Sequence, residues 1–408
     1  MILKPRPVLG IEIHPDEVRV VELVPTGTGW SVANRTALIP VPNFLGEYGF
    51  IEPIVLGRAL RSTLDKAGIT TVDAAFGLPP NYCAVRALSV PPVEGSELRF
   101  IVQGEIELAR MFRSPDASFD IINLNDGKLL DSGGQSVLAV GADLAVLANI
   151  RDFAEAAGLK TEAIEPTHMA LFRGAYVQAP PPNLFLTLSE SYAELSLLDN
   201  GRLALHRAFD LGTSIFNTAP AEGESKGEPL DVDGASAIAI ELRRTIDFIA
   251  RELREAPPTE EIAIAATHPN APILAEWIQN SLRIRCRLAD LNSANLDGAR
   301  NLETAEALRF SAALSLALRP PYPLPEAVPV VDLLAHEKLR HNIQEDIKRK
   351  SRVALLAACA ILACSLLAAG LGTLQANRAA GELAASKARL AQTQELERIK
   401  KQEAAQKA

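Results

Sequence analysis

VLGIEIHPDEVRVVEL, residues 8–23, is two short apolar runs parted by Pro15-Asp16, the pattern of two strands joined by a tight turn. SVANRTALIPV at 31–41 adds a third run, so the chain opens on a strand meander. Outward from it, Leu56, Ala59, Leu60, Leu64 and Ala67 fall at helical spacing between Ile54 and Ala67, and TVDAAFGLP and CAVRALSVP return to strands. From Ser96 to Phe112, Leu98, Ile101, Val102, Ile106 and Ala109 line one face of a second helix, with Glu105, Glu107 and Arg110 at polar positions. Two β segments (FDIINL, SVLAVGA), a helix over Leu144–Ala157 ended by Gly158, and the strand KTEAIEP complete this half.

The same order restarts beyond AYVQAPPPN at 175–183. LFLTLSESYAELSLLDNGRLALHRAF, residues 184–209, alternates apolar and polar residues around Asp199-Asn200-Gly201, and Asn-Gly readily takes the positive φ of a hairpin turn. After the polar loop AEGESKGEPLD, residues Ile238, Leu242, Ile246 and Ile249 mark a long amphipathic helix with Arg243, Arg244, Asp247 and Arg251 facing water. EIAIAAT, a helix at 271–282, RIRCRLADL and a helix at 304–318 follow. Strand meander, helix and the same again make two similar α/β halves, 1–175 and 184–319.

Residues 9–340 resemble the actin-like fold of PilM, the cytoplasmic platform protein of type IV pili, and of its relative GspL in type II secretion. The resemblance rests on LGIEIHPDEVRVVEL for the opening hairpin, SELRFIVQGEIELARMF with its following β segment for an inserted subdomain, and LDNGRLALHRAFDLG for the second hairpin. It implies an α/β actin-like fold of two related halves, with a small α/β subdomain inserted at about 92–160.

An ATP-using member of that fold grips phosphates with compact turns whose backbone N–H groups point at the oxygens. The corresponding positions, Gly10, Glu12 and His14 in the first half and Thr187, Ser189 and Ala266 in the second, depart from that pattern. Pro15 has no N–H to give and His14 replaces a small residue. Thr187-Leu188-Ser189 lacks the carboxylate that would organise Mg²⁺, and Ala265-Ala266-Thr267 stands where two glycines are implied. The expectation is no enzyme, no catalytic residue, no metal and no cofactor, with room left for residual ATP binding. Glu12 reads as a surface-turn carboxylate.

Other chemistries are excluded in the same way. His336, Glu337 and His341 miss the HExxH zinc motif, because five residues set two rings roughly 140° apart around a helix where four set them roughly 40° apart. No GxSxG elbow or P-loop occurs, and the six histidines are scattered, each read as exposed or singly hydrogen-bonded. The net charge of -9 argues against nucleic acid as a partner. Cys83 and Cys286 are far apart and Cys359 and Cys364 are not spaced as a metal knuckle, so a reduced interior is expected.

PPYPLPEAVP at 320–329 is a Pro-rich linker. VVDLLAHEKLR follows and resembles the short motif at the start of PilN, the partner that PilM holds, with Asp332 where that family has Asn and Ala335 where it has Pro. Val331, Asp332, Leu333 and Leu334 are therefore the expected partner-binding residues, within a motif and basic helix spanning 330–352. An amphipathic helix is the alternative, and docking within one chain or between chains stays open. Residues 353–374, VALLAACAILACSLLAAGLGTL, carry no charge over a length that spans a bilayer, and Lys338, Arg340, Lys348, Arg349, Lys350 and Arg352 precede them. This predicts one transmembrane helix, with Ala360, Cys364, Ala368 and Gly372 as a packing stripe. It also predicts a bacterial inner-membrane location contacting lipid, a cytoplasmic N-terminal domain and a periplasmic helical stem at 375–408. The N-terminus lacks an apolar run of signal-peptide length.

The expected function is a non-enzymatic inner-membrane assembly platform component of type IV pilus biogenesis or type II secretion, a homo-oligomer contacting other platform proteins. The alternatives are an ATP-binding ATPase or kinase of the same fold, and a membrane-anchored scaffold outside pilus biology.

Overall fold

The computed structural model describes residues 6–406 except 28, 115, 125–133, 179–183, 189–192, 200–201, 210, 213–214, 217–229, 253–258, 290–295, 299–301 and 320–329; side chains are further left out at 175–178, 199, 202, 252, 336–361, 363 and 402–406. Ser189, the Asn200-Gly201 turn and the Pro-rich linker thus lie outside the described residues.

The first half runs β1 (Val8–Ile13), β2 (Val18–Pro25), β3 (Trp30–Leu38), the short pair β4 (Leu45–Gly46) and β5 (Gly49–Phe50), α1 (Pro53–Lys66) and β6 (Asp73–Leu78). Then come β7 (Ala84–Val90), α2 (Gly95–Leu108), β8 (Ala117–Asn123), β9 (Gln135–Asp143), α3 (Leu144–Ala156), β10 (Lys160–Pro166) and α4 (Thr167–Gln178). The second half runs β11 (Leu184–Leu188), β12 (Ala193–Asp199), β13 (Arg202–Phe209), α5 (Val232–Glu252), β14 (Glu261–Ala266), α6 (Ala271–Leu282) and β15 (Arg285–Ala289). The helices α7 (Thr304–Arg309), α8 (Ser311–Ala317) and α9 (Ala335–Gln406) end the chain.

Two five-stranded sheets share one topology. The first is ordered β10-β6-β1-β2-β3 and the second β15-β14-β11-β12-β13, each with an antiparallel meander on one side and parallel strands on the other. In the first sheet, Leu9, Ile11 and Ile13 alternate with Val8 and Gly10, so odd residues face the core under α1 and α3 and even ones face α8. In the second, Leu184, Leu186, Leu195 and Leu197 pack under α5 and α6, while Phe185, Leu198 and Leu203 face the core shared with α4. Helices α4 and α8 pack on each other, one against each sheet. Gly10 owes its smallness to this packing: a Cβ there would lie 1.8 Å from the Ala313 carbonyl oxygen of α8.

The inserted subdomain is the three-stranded sheet β7-β9-β8 with α2 laid over it. It spans 84–143 rather than 92–160, because β7 pairs with β9 while α3 and β10 belong to the first half.

The chain divides into two compact units, Met1–His336 and Glu337–Ala408. Both halves and the Val331–Leu334 segment lie in the first. In the second, α9 is a continuous 72-residue helix. Among the described residues, no helix is long and apolar enough to cross a membrane. The expectation of a transmembrane helix at 353–374, and with it of a single-pass inner-membrane protein with a periplasmic stem, is corrected accordingly: the structure does not support it. The side chains described in that stretch, Leu362 and Cys364–Leu374, are all exposed on α9. Beyond them α9 is studded with Arg378, Glu382, Lys387 and Arg389. Of the packing stripe, Cys364, Ala368 and Gly372 are exposed on α9 and the side chain of Ala360 lies outside the described residues.

Candidate docking groove and the turns beside it

The first sheet ends at β10, the inserted sheet ends at β8, and unpaired strand edges invite pairing. Val331–Leu334 lies between them. The Leu333 N–H donates to the Ile164 carbonyl of β10 at 3.0 Å, and the Ser118 hydroxyl of β8 donates to the Leu333 carbonyl at 2.6 Å. The Asp332 N–H donates to Asp120 Oδ2 at 3.1 Å, again from β8. Val331 and Leu333 are fully buried and Leu334 nearly so, in the same apolar cluster as Leu124, Leu138 and Val140 of the inserted subdomain and Ile164 and Leu171 of the first half.

Polar groups fix the segment's direction. Arg319 donates to the Val331 carbonyl, places Nη1 3.3 Å from Glu165 Oε2 and Nη2 3.9 Å from Asp332 Oδ2. Asp332 accepts the Leu334 N–H at 3.0 Å, an Asx-type turn that leads into α9. Glu165 is itself held by Arg173 through two hydrogen bonds, 2.6 and 2.5 Å, and Arg173 donates to the Ser315 carbonyl at 3.1 Å. Glu165 and Arg173 are completely buried, so α4, α8, β10 and the docked segment meet at one paired charge.

At the β1–β2 turn, His14 and Glu17 exchange backbone hydrogen bonds around Pro15-Asp16. Glu12 is not on the surface. It is buried at the end of β1, opposite Arg19 in the hairpin register, with Arg19 Nη1 at 3.3 Å from its Oε2. Arg19 also donates to Glu17 Oε1 at 2.7 Å and to the Arg309 carbonyl at 3.0 Å, and Arg309 Nε donates to Glu17 Oε1 at 2.8 Å. Burial pushes the Glu12 carboxyl above its usual value despite Arg19. For Glu17 burial acts the same way, but the hydrogen bonds from Arg309 and Arg19 outweigh it and hold the carboxyl at about 2. Burial, followed by the Arg19 charge, lowers His14 to about 3 and lowers His268 as well. Two arginines that have the chemistry to hold phosphate are thus committed to two glutamates. In the second half Thr187 is buried in β11, donating to the Glu194 carbonyl and carboxylate at 3.3 and 3.4 Å, and Ala266 is buried at the end of β14.

Two of the scattered histidines meet in space. His168 of α4 and His206 of β13 come together with Glu194 of β12, all buried. Burial, with His206 adding to it, holds His168 well below the imidazole range, while burial alone lowers His206 to about 4 and raises Glu194 to about 8. No sequence motif joins them. Cys83, Cys286 and Cys364 are free thiols.

The two repeated sheets, the helices between them and the inserted subdomain define an actin-like α/β protein. Among solved structures the chain resembles a PilM-PilN type IV pilus biogenesis complex, at 20% identity over 78% of this chain and 99% of that one, with a TM-score of 0.59. Also similar are the cytoplasmic domain of EpsL, an inner membrane component of the type II secretion system of Vibrio cholerae (11% identity, 81% of this chain and 98% of that one, TM-score 0.41), and a Bacteroides thetaiotaomicron protein with an actin-like ATPase fold (8%, 74% and 95%, 0.40). The first of these likenesses shows the fold. No protein-family model and no curated protein sequence matches the chain.

Proposed function

We propose that this chain is a non-enzymatic platform component of type IV pilus or type II secretion assembly, working by capture of a short apolar segment rather than by nucleotide turnover. The observation that carries the reading is Val331–Leu334 in the groove between β8 and β10, where the Ile164 carbonyl of β10 and the Asp120 and Ser118 side chains of β8 bond the segment's main chain and Val331, Leu333 and Leu334 are buried. The fold shared with a PilM-PilN type IV pilus biogenesis complex supports it. Within one chain the groove holds that chain's own segment; in an oligomer the same contacts suit the segment of a neighbouring copy. The closed Glu12–Arg19–Glu17–Arg309 network supports the absence of turnover.

Deletion of the gene should abolish surface pili or secretion of a reporter substrate, with rescue by the wild type and none by Leu333→Asp/Leu334→Asp. Unimpaired piliation and secretion in the deletion strain would overturn the assembly role. Calorimetric titration of the full chain with MgATP should show nothing tighter than about millimolar, worth about 4 kcal/mol. Micromolar binding with phosphate release would replace this reading by an ATPase.

A further inference from the structure

Away from the groove, the side of the second sheet that faces α4 carries a polar patch among its apolar residues. Thr187, Glu194 and Ser196 point to it, and His206 joins them because it pairs opposite Ser196. His168 at the start of α4 covers this face, with its ring centroid 6.2 Å from that of His206. His168 Nε2 lies 3.2 Å from Glu194 Oε1, a close approach without the alignment of a hydrogen bond. Among the described residues, both nitrogens of His168 and Nε2 of His206 have no hydrogen-bond partner, although the residues are only 3% and 8% exposed. Orphaned nitrogens in a dry interior are costly, and a Lewis acid that takes one lone pair from each imidazole relieves two of these three.

We propose that His168, Glu194 and His206 bind a divalent transition-metal cation of the zinc class, which clamps α4 to the β12–β13 hairpin. Two imidazoles and a carboxylate are a zinc donor set, and one ligand atom from each lies within 4.8 Å of the others. Bonds of about 2.0–2.1 Å need ligand atoms about 3–3.5 Å apart, a spacing the His168–Glu194 pair already has. The outer contacts match at His206 and Glu194. Ser196 Oγ lies 3.2 Å from His206 Nδ1; in the tautomer whose Nδ1–H donates to that oxygen, the Nε2 lone pair is left for the metal. The Thr187 hydroxyl holds Glu194 Oε2 at 3.4 Å, which leaves Oε1 toward His168. Burial keeps a substrate away, so the metal's part is to hold elements together.

The test uses the full chain, stripped with a chelator, in a His336→Gln/His341→Gln background so that those two histidines contribute nothing. Cobalt(II) should bind at one equivalent with ligand-field absorption that zinc abolishes, and zinc should raise the melting temperature. Glu194→Gln and His206→Gln should each weaken cobalt binding by on the order of 100-fold or more. Glu194→Gln keeps the volume of the buried side chain, so it reads the ligand role if the His206 variant does not fold. Absence of absorption and of any thermal shift in the parent, or parental affinity in Glu194→Gln, overturns the site and leaves a buried water as the partner of these nitrogens.

Discussion

Glu165 and Arg173 tie the groove to the centre of the molecule, and their burial decides what a substitution does. Glu165→Gln removes the charge that compensates Arg173, so it should destabilise by about 3–5 kcal/mol, seen as a lower urea midpoint. The double change Glu165→Leu/Arg173→Met should recover most of that loss; a double variant as unstable as the single would refute the uncompensated-charge account. Acid sensitivity has its own residues. His14 binds a proton near 6.5 when unfolded and only near about 3 when folded, so stability falls as pH drops through that interval. Glu17, held at about 2, adds stability above its ordinary 4.5 that is lost between 4.5 and 2. Urea unfolding at stepped pH should therefore show stability declining from pH 6.5 downward in the wild type. His14→Gln should make the part above about 4.5 shallower, His168, His206 and His268 contributing there in the same sense, and an unchanged slope would contradict the assignment. The burial of Glu12 was open to sequence reasoning, since a two-residue turn at Pro15-Asp16 sets residue 12 opposite Arg19; what hid it was the assumption that a charge beside a turn faces water.

At the scale of elements, the meander, the hairpin after 193 and the amphipathic helices were legible because one face of each is apolar at period 2 or 3.6. Helix α4 was not. Its residues from Thr167 to Gly174 are buried on every side, so no polar stripe marks the period. The three-ligand cluster was hidden by a bulge between Leu197 and Leu198, which shifts the β12–β13 register by one residue. Without it His206 would pair with Leu195 and face the α5 and α6 side instead of Glu194. The apolar stretch at 353–374 misled in the opposite direction, being read by length and hydropathy alone. Helix packing offers a sharp check at Gly10, where a Cβ would meet the Ala313 carbonyl at 1.8 Å and the Ala317 nitrogen at 2.6 Å. Gly10→Ala should cost about 1–3 kcal/mol or more by forcing α8 off β1. A melting temperature equal to the wild type would show that the contact relaxes freely.

For the whole molecule, the account turns on a groove between two sheet edges that is filled by a segment distant in sequence. Burial of Val331, Leu333 and Leu334 contributes about 1.5–3 kcal/mol for each side chain before ordering costs, enough to keep the segment seated most of the time. Amide hydrogen exchange across residues 330–335 of the full chain measures this directly. The amides of Asp332, Leu333 and Leu334, donating to Asp120, Ile164 and Asp332 respectively, should exchange at least about 100-fold more slowly than an unstructured chain, and Leu333→Asp/Leu334→Asp should remove that protection. Exchange of these amides at the free-chain rate in the wild type would contradict the account, because the segment would then be a linker and the groove would be open.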